Sequence, residues 1–448
     1  MTPSRSSIKS VLLPQPMVWR GTIRASVRPS SLDWLQSFSD PQLGVGWNPR
    51  ASRAARWRLG RMRALLDLAG DPDRRMRVVL IAGTKGKGST AAFLASILHA
   101  AGSRGGLFTS PHLQTYRERV RIDGALLGDA DFARAIDELR PIVARLRRAH
   151  PAAGQPTTFE LTLLLALRAF AERGCAIAVV EVGLGGRIDA TNALDPVVSV
   201  ISAISYDHTA ILGRTLAAIA TEKAGIVRAG RPALVAVQRP AAARAIARAC
   251  RAAGADERVV RPLGVHADLG LSGDHQRQNA ALAAAAATSL GLDAAPISRG
   301  LRTAIWPARF ERVRGRPAVV LDGAHNGASA AALARTLRSE RGGRRLVLVL
   351  GVNRDKDARA VLEPLVRIAS SVIVTRSASP RAADPTVIAR VAGRGTHVPV
   401  TTAADVRSAI ATARAAAGAD GLVCVAGSLA LAADARTALG LVPSERWW

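Results

Sequence analysis

The chain has 448 residues, with 62 Lys and Arg against 34 Asp and Glu and a formal net charge of +28. Its length implies roughly two or three domains, and its three cysteines, far apart and without C-x-x-C spacing, exclude a disulfide framework. The charge alone points to nucleic acid or an anionic surface, but the arginines are scattered and only two tyrosines and seven phenylalanines could stack on bases, so small polyanionic substrates explain it better.

Residues 1–30 carry no acid and no apolar signal core, and they read as a disordered extension outside the fold. No apolar run reaches the roughly 18 to 20 residues of a membrane helix, and the reduced-cysteine pattern suits the cytoplasm. From about Leu32 apolar strand-like runs alternate with alanine-rich helical stretches, the signature of parallel α/β architecture. Strands are expected at Arg77–Ala82, Ile177–Val182, Val197–Ile204 and Ala233–Val237, then at Ala318–Leu321, Leu346–Leu350, Ser371–Thr375, His397–Val400 and Leu422–Ala426. A short helix and two prolines between Ala294 and Pro307 suit a linker. The expected fold is thus a P-loop-type nucleotide-binding domain with a mostly parallel sheet over 31–297, followed by a smaller Rossmann-like doubly wound domain over 306–448.

The first strand runs into G-T-K-G-K-G-S-T at 83–90, followed by a helix-forming alanine stretch. Gly83, Gly86 and Gly88 let backbone N–H groups converge on one anion, and the helix adds its positive dipole end. Lys87 supplies a compact charge for the outer phosphates. The spacing departs from the ordinary G-x-x-x-x-G-K-[ST] loop, because Gly88 separates Lys87 from Ser89. Only five of the 62 basic residues are lysines, and two of them, Lys85 and Lys87, lie in this loop. Polar clusters follow the other strands or start helices, where open α/β sheets bind ligands. Among them, Ser110 and Glu181 offer the hard oxygen ligands that magnesium prefers, with His208 a less usual choice.

The ordered series G-T-K-G-K-G-S, T-S-P-H-L, E-V-G-L-G-G-R-I-D-A-T-N, D-H-T, E-K-A-G-I, H-Q-R-Q-N-A, W-P-A-R-F-E and D-G-A-H-N resembles the folylpolyglutamate synthase and dihydrofolate synthase family of the Mur-ligase superfamily over about residues 31–440. The resemblance implies that ATP phosphorylates a dihydropteroate or reduced-folate carboxylate and that the amine of L-glutamate attacks the acyl phosphate. It implies nucleotide contacts from Gly86, Lys87, Gly88, Ser89, Asn279, Arg309 and Asp322, and magnesium ligation by Ser110, Glu181 and His208. Lys223 matches a lysine that the family carbamylates, a reaction arginine cannot undergo; its alternative is an ion pair with Glu222 or another nearby acid. Pterin-side contacts fall on Thr157, Thr158, Phe159, Glu160, Ile188, Asp189 and Ala190, although Thr157 or Thr158 with Glu160 would equally cap the following helix. Glutamate would meet His325, and with a weaker claim Ser428, between the domains. His112 reads as loop structure.

A monomer without nucleic-acid or membrane partners is implied, and potassium activation stays open. The segment Gln42–Pro49 is only loosely like the family's. Two other readings are a Mur-type ligase of cell-wall precursors, disfavoured by T-S-P-H-L with D-G-A-H-N, and a non-catalytic nucleotide- or nucleic-acid-binding protein, motivated by the charge.

Overall fold

The computed structural model describes residues 29–39, 52–394, 396–443 and 445–446. The expected extension lies outside them, except that Pro29 and Ser30 open a helix running to Gln36. Gln42–Pro49 also lies outside them.

Eight strands form the first sheet: β1 (Arg77–Ala82), β2 (Gly105–Phe108), β3 (Val120–Ile122), β4 (Ala125–Leu126), β5 (Ile177–Glu181), β6 (Val198–Ile201), β7 (Pro232–Ala236) and β8 (Asp256–Val260). Their order is β4-β3-β2-β5-β1-β6-β7-β8, and every pairing from β2 to β8 is parallel. The central strand β1 is apolar and almost wholly buried because helices cover both faces, as a parallel sheet requires. One face packs the helix Thr158–Glu172 and the other the helices Lys87–Ala100 and His275–Ser289.

The second sheet comprises β9 (Glu311–Val313), β10 (Ala318–Leu321), β11 (Leu346–Leu350), β12 (Ser371–Val374), β13 (Val400–Thr402) and β14 (Leu422–Ala426). It runs β13-β12-β11-β14-β10-β9, parallel except for β9 at its edge. Helices again cover both faces, giving the doubly wound form.

The short helix expected between Ala294 and Pro307 is present as Ala294–Thr303, lying against Lys87–Ala100. A Cβ on Gly300 would fall 2.4 Å from Ile97 Cα, so the helices touch through backbone, and Leu301 joins the first core. Two other expectations need adjustment. The strand expected at His397–Val400 starts instead at Val400, since Pro399 has no N–H to give a ladder. β8 and β9 escaped notice because they are edge strands with exposed polar positions, whose pattern is hard to separate from loop.

Candidate active site

Parallel strands end at one edge, so the polar loops after β1, β2, β5 and β6 gather there. The loop after β1 is tied to the end of β6: the N–H groups of Thr84 and Lys85 donate to the Ala203 carbonyl at 2.9 and 3.1 Å, and the Thr84 hydroxyl donates to the Ser205 carbonyl. Gly86, at φ 94°, then caps the helix that begins at Lys87. Glycine is needed here twice over, because a Cβ would also stand 2.1 Å from Asn279 Oδ1.

Asn279 therefore lies directly on the loop. Its amide donates to Gln276 Oε1 at 2.8 Å, and Gln276 reaches Ser89 Oγ at 3.4 Å. Trp306 covers the other side, since a Cβ on Gly88 would come within 2.8 Å of its ring. Gln276 and Trp306 were not singled out from sequence, although both stand inside the quoted motifs.

Glu181 closes β5 in register with Ile81. It is 5% exposed, accepts from the Ser110 N–H at 3.2 Å, and lies 3.8 Å from Lys87 Nζ. Desolvation pushes its pKa up, opposed mainly by Lys87. A buried carboxylate so sparsely paired favours a further cation. Among the described residues no three His, Cys, Asp or Glu groups converge as a metal site. An ion at Glu181 would thus take most ligands from hydroxyl, water and phosphate oxygens, which is how magnesium is commonly held. His208 caps the helix Thr209–Leu212 with φ 50°; its ring is 52% exposed and lies 3.8 Å from Asp207.

Lys223 ends the helix Leu216–Ala224 at 5% exposure. The alternative pairing with Glu222 does not occur, because Glu222 is held by Arg187 at 2.6 Å. Burial, and then the charge of Lys87, lower the Lys223 pKa to about 7. A large share of this amine is unprotonated at neutral pH, as a nucleophile must be.

From the second sheet come Asp322 and His325, in the loop after β10. Asp322 accepts from the N–H groups of Phe310 and Ala324, both at 2.8 Å, and so fastens the connecting segment to that loop. Arg309 bears electrostatically on both Asp322 and Glu181. His325 Nδ1 is 2.8 Å from the Gly323 carbonyl, which assigns the proton to Nδ1 and leaves Nε2 as acceptor. Desolvation, then Lys85, lowers its pKa to about 4.

Other expected residues serve local structure. Thr157 and Glu160 form a full capping box, and Glu160 also holds Arg61 at 2.9 Å. The Thr158 hydroxyl donates to the Leu35 and Phe38 carbonyls, and Phe159, 6% exposed, stands edge-on to Phe108. Asp189 accepts from Leu184 N and from both the N–H and the hydroxyl of Thr191, within a turn flanked by Ile188 and Ala190. The Ser428 hydroxyl, at 2% exposure, accepts from Leu431 N as a helix cap. His112 accepts from Arg119 Nε at 3.2 Å.

Residues 81–260 match the Mur ligase middle domain, and residues 308–429 match the Mur ligase glutamate ligase domain. A dihydrofolate synthase/folylpolyglutamate synthase of Mycobacterium tuberculosis is 38% identical over 86% of this chain and 90% of its own length. The chain belongs to the folylpolyglutamate synthase and dihydrofolate synthase family. A probable bifunctional folylpolyglutamate synthase/dihydropteroate synthase of Halobacterium salinarum is 42% identical over 83% of the chain, which spans about half, 48%, of that relative's length. Among solved structures, Escherichia coli FolC in complex with DHPP and ADP aligns with TM-score 0.77 and 29% identity, covering 92% of this chain and 97% of that one. The bifunctional Yersinia pestis enzyme complexed with AMPPNP and Mn ion aligns with TM-score 0.75 and 30% identity, covering 86% and 93%.

Proposed function

We propose that this chain is an ATP-dependent ligase that joins L-glutamate to the carboxylate of dihydropteroate, of reduced folates, or of both. The observation that carries the reading is the meeting of the phosphate loop, buried Glu181 and Arg309 at the sheet edge opposite Asp322 and His325. The family relatives, and the folate-type and nucleotide ligands named for its solved neighbours, support it.

In this reading the amides of Gly86, Gly88 and Ser89 with Lys87 hold the outer phosphates of ATP, and Asn279 and Arg309 orient the nucleotide. The acid's carboxylate oxygen attacks the γ-phosphorus, ADP leaves, and an acyl phosphate forms. Glu181, Ser110 and His208 would hold magnesium, which supplies charge neutralisation on the phosphate oxygens. The amine of glutamate then attacks the acyl carbon, the C–O bond to phosphate breaks, and His325 Nε2 accepts a proton from nitrogen. The lowered pKa of His325 keeps that nitrogen unprotonated near neutrality.

Lys223, reacting as the free amine with carbon dioxide, would carry a carbamate whose oxygens face the same cations. Thr157 to Glu160 and Ile188 to Ala190 shape the pterin end, chiefly by fixing backbone. The division between units falls near Ile305, after the helix Ala294–Thr303. We assign the ligase to the cytoplasm as a monomer.

The test offers ATP, magnesium and labelled glutamate with dihydropteroate, tetrahydrofolate monoglutamate or a muramyl precursor in turn. Label in a folate product is expected; label only in the muramyl product, or none, overturns the reading. His325→Ala should lower kcat about a hundredfold with ATP affinity nearly intact, and an unchanged kcat would remove His325 from the reaction.

A further inference from the structure

Beyond its charge, which helps lower the pKa of His325, Lys85 has a set of contacts not used so far. Its backbone N–H is fixed to Ala203, and its ammonium forms a 2.9 Å ion pair with Asp207 Oδ2, with side-chain exposures of 25% and 18%. The same carboxylate oxygen accepts from Asn326 Nδ2 of the second unit at 3.3 Å. Asn326 is the N-cap of the helix Gly327–Glu340: its Oδ1 accepts from Ser329 N, and Ser329 Oγ in turn accepts from His325 N. A continuous series of polar contacts therefore runs from the phosphate loop through one carboxylate to the backbone of His325. Lys356, from the loop after β11, adds a second positive charge felt by Asp207 and His325.

We infer that Lys85 is a positioning residue: through Asp207 it anchors the Asn326 cap and so sets His325 relative to the bound nucleotide. The inference rests on the ligase reading for its kinetic consequence, but the contact itself is open to a separate test. A loop that holds phosphate needs only one lysine as point charge, and Lys87 fills that place. Lys85 instead spends its charge on a carboxylate that reaches across to the other unit, where a short polar link transmits position more exactly than an apolar contact.

The experiment uses the full chain with Lys85→Met, Asn326→Ser and the double variant. Serine remains a good N-cap but is too short to reach Asp207, so loss of the helix cap is kept apart from loss of the link. Hydrogen–deuterium exchange at the Ser329 and Ala330 amides should quicken at least about threefold in Lys85→Met, with the helix His275–Ser289 unchanged. The kcat should fall on the order of tenfold in each single variant, with the KM for glutamate changed much less, and the double should be no worse than either single. Unaltered exchange beyond Asn326 in Lys85→Met overturns the inference, as do additive effects on kcat. Should the native chain ligate no glutamate, the functional reading falls, while the exchange data still decide this one.

Discussion

Replacing Lys223 by methionine should make the protein more stable and, at the same time, inactive. The folded amine has a pKa of about 7 against 10.5 for an ordinary lysine. Between those values the unfolded chain binds a proton that the folded chain does not, so stability rises with pH across the window and the full penalty is present below pH 7. At about 1.4 kcal/mol for each pH unit, the penalty is about 5 kcal/mol below the window. Methionine has a similar length and no charge, so removing the amine should recover at least about 2 kcal/mol at pH 6 after the loss of local contacts. Denaturant unfolding of native chain and variant at pH 6, 8 and 10, in carbon-dioxide-free buffer, reads the difference. The gain should be largest at pH 6 and shrink toward pH 10. Lys223→Arg keeps a buried charge, cannot form a carbamate, and should gain no stability while losing activity. A methionine variant no more stable than the native chain at pH 6, or a gain independent of pH, would refute the burial argument. Full activity in either variant would refute the chemical role.

Glu181→Gln should lower kcat about a hundredfold and raise the magnesium concentration needed for half-maximal rate, measured by metal titration; an unchanged magnesium requirement removes Glu181 from the ion. Gly86→Ala meets both a left-handed backbone and Asn279 Oδ1, so ADP binding by calorimetry should weaken at least about tenfold while the fold, by circular dichroism, persists. Glu160→Gln leaves Arg61 without its buried partner and should cost about 3 kcal/mol of stability. If Glu160 instead serves the pterin directly, the KM for the acid rises and stability changes little.

The sequence made the phosphate loop, Glu181 and the D-G-A-H-N loop visible because each interrupts a buried apolar run with polar or glycine residues at a strand end. Most parallel strands were legible within one or two residues for the same reason, since a strand buried on both faces reads as a continuous apolar block. The strands β2, β3, β4, β8 and β9 were missed, being short or half-exposed. The packing of the helix Ala294–Thr303 on Ile97 was not legible because that contact depends on a glycine, which carries no apolar signal. Thr157, Glu160, Asp189 and Ser428 all make capping or turn bonds, a use that the sequence pattern offers equally with substrate contact. The link from Lys85 to Asn326 spans more than 240 positions of sequence and leaves no local pattern.

The central claim is that glutamate is joined to a folate-type acid through an acyl phosphate. Incubating the chain with ATP, magnesium, L-glutamate and dihydropteroate labelled with oxygen-18 in its carboxylate tests it most directly. Mass spectrometry should find dihydrofolate together with inorganic phosphate carrying one oxygen-18 atom. Phosphate without the label, or no glutamate joined to either dihydropteroate or a similarly labelled reduced folate, would contradict it.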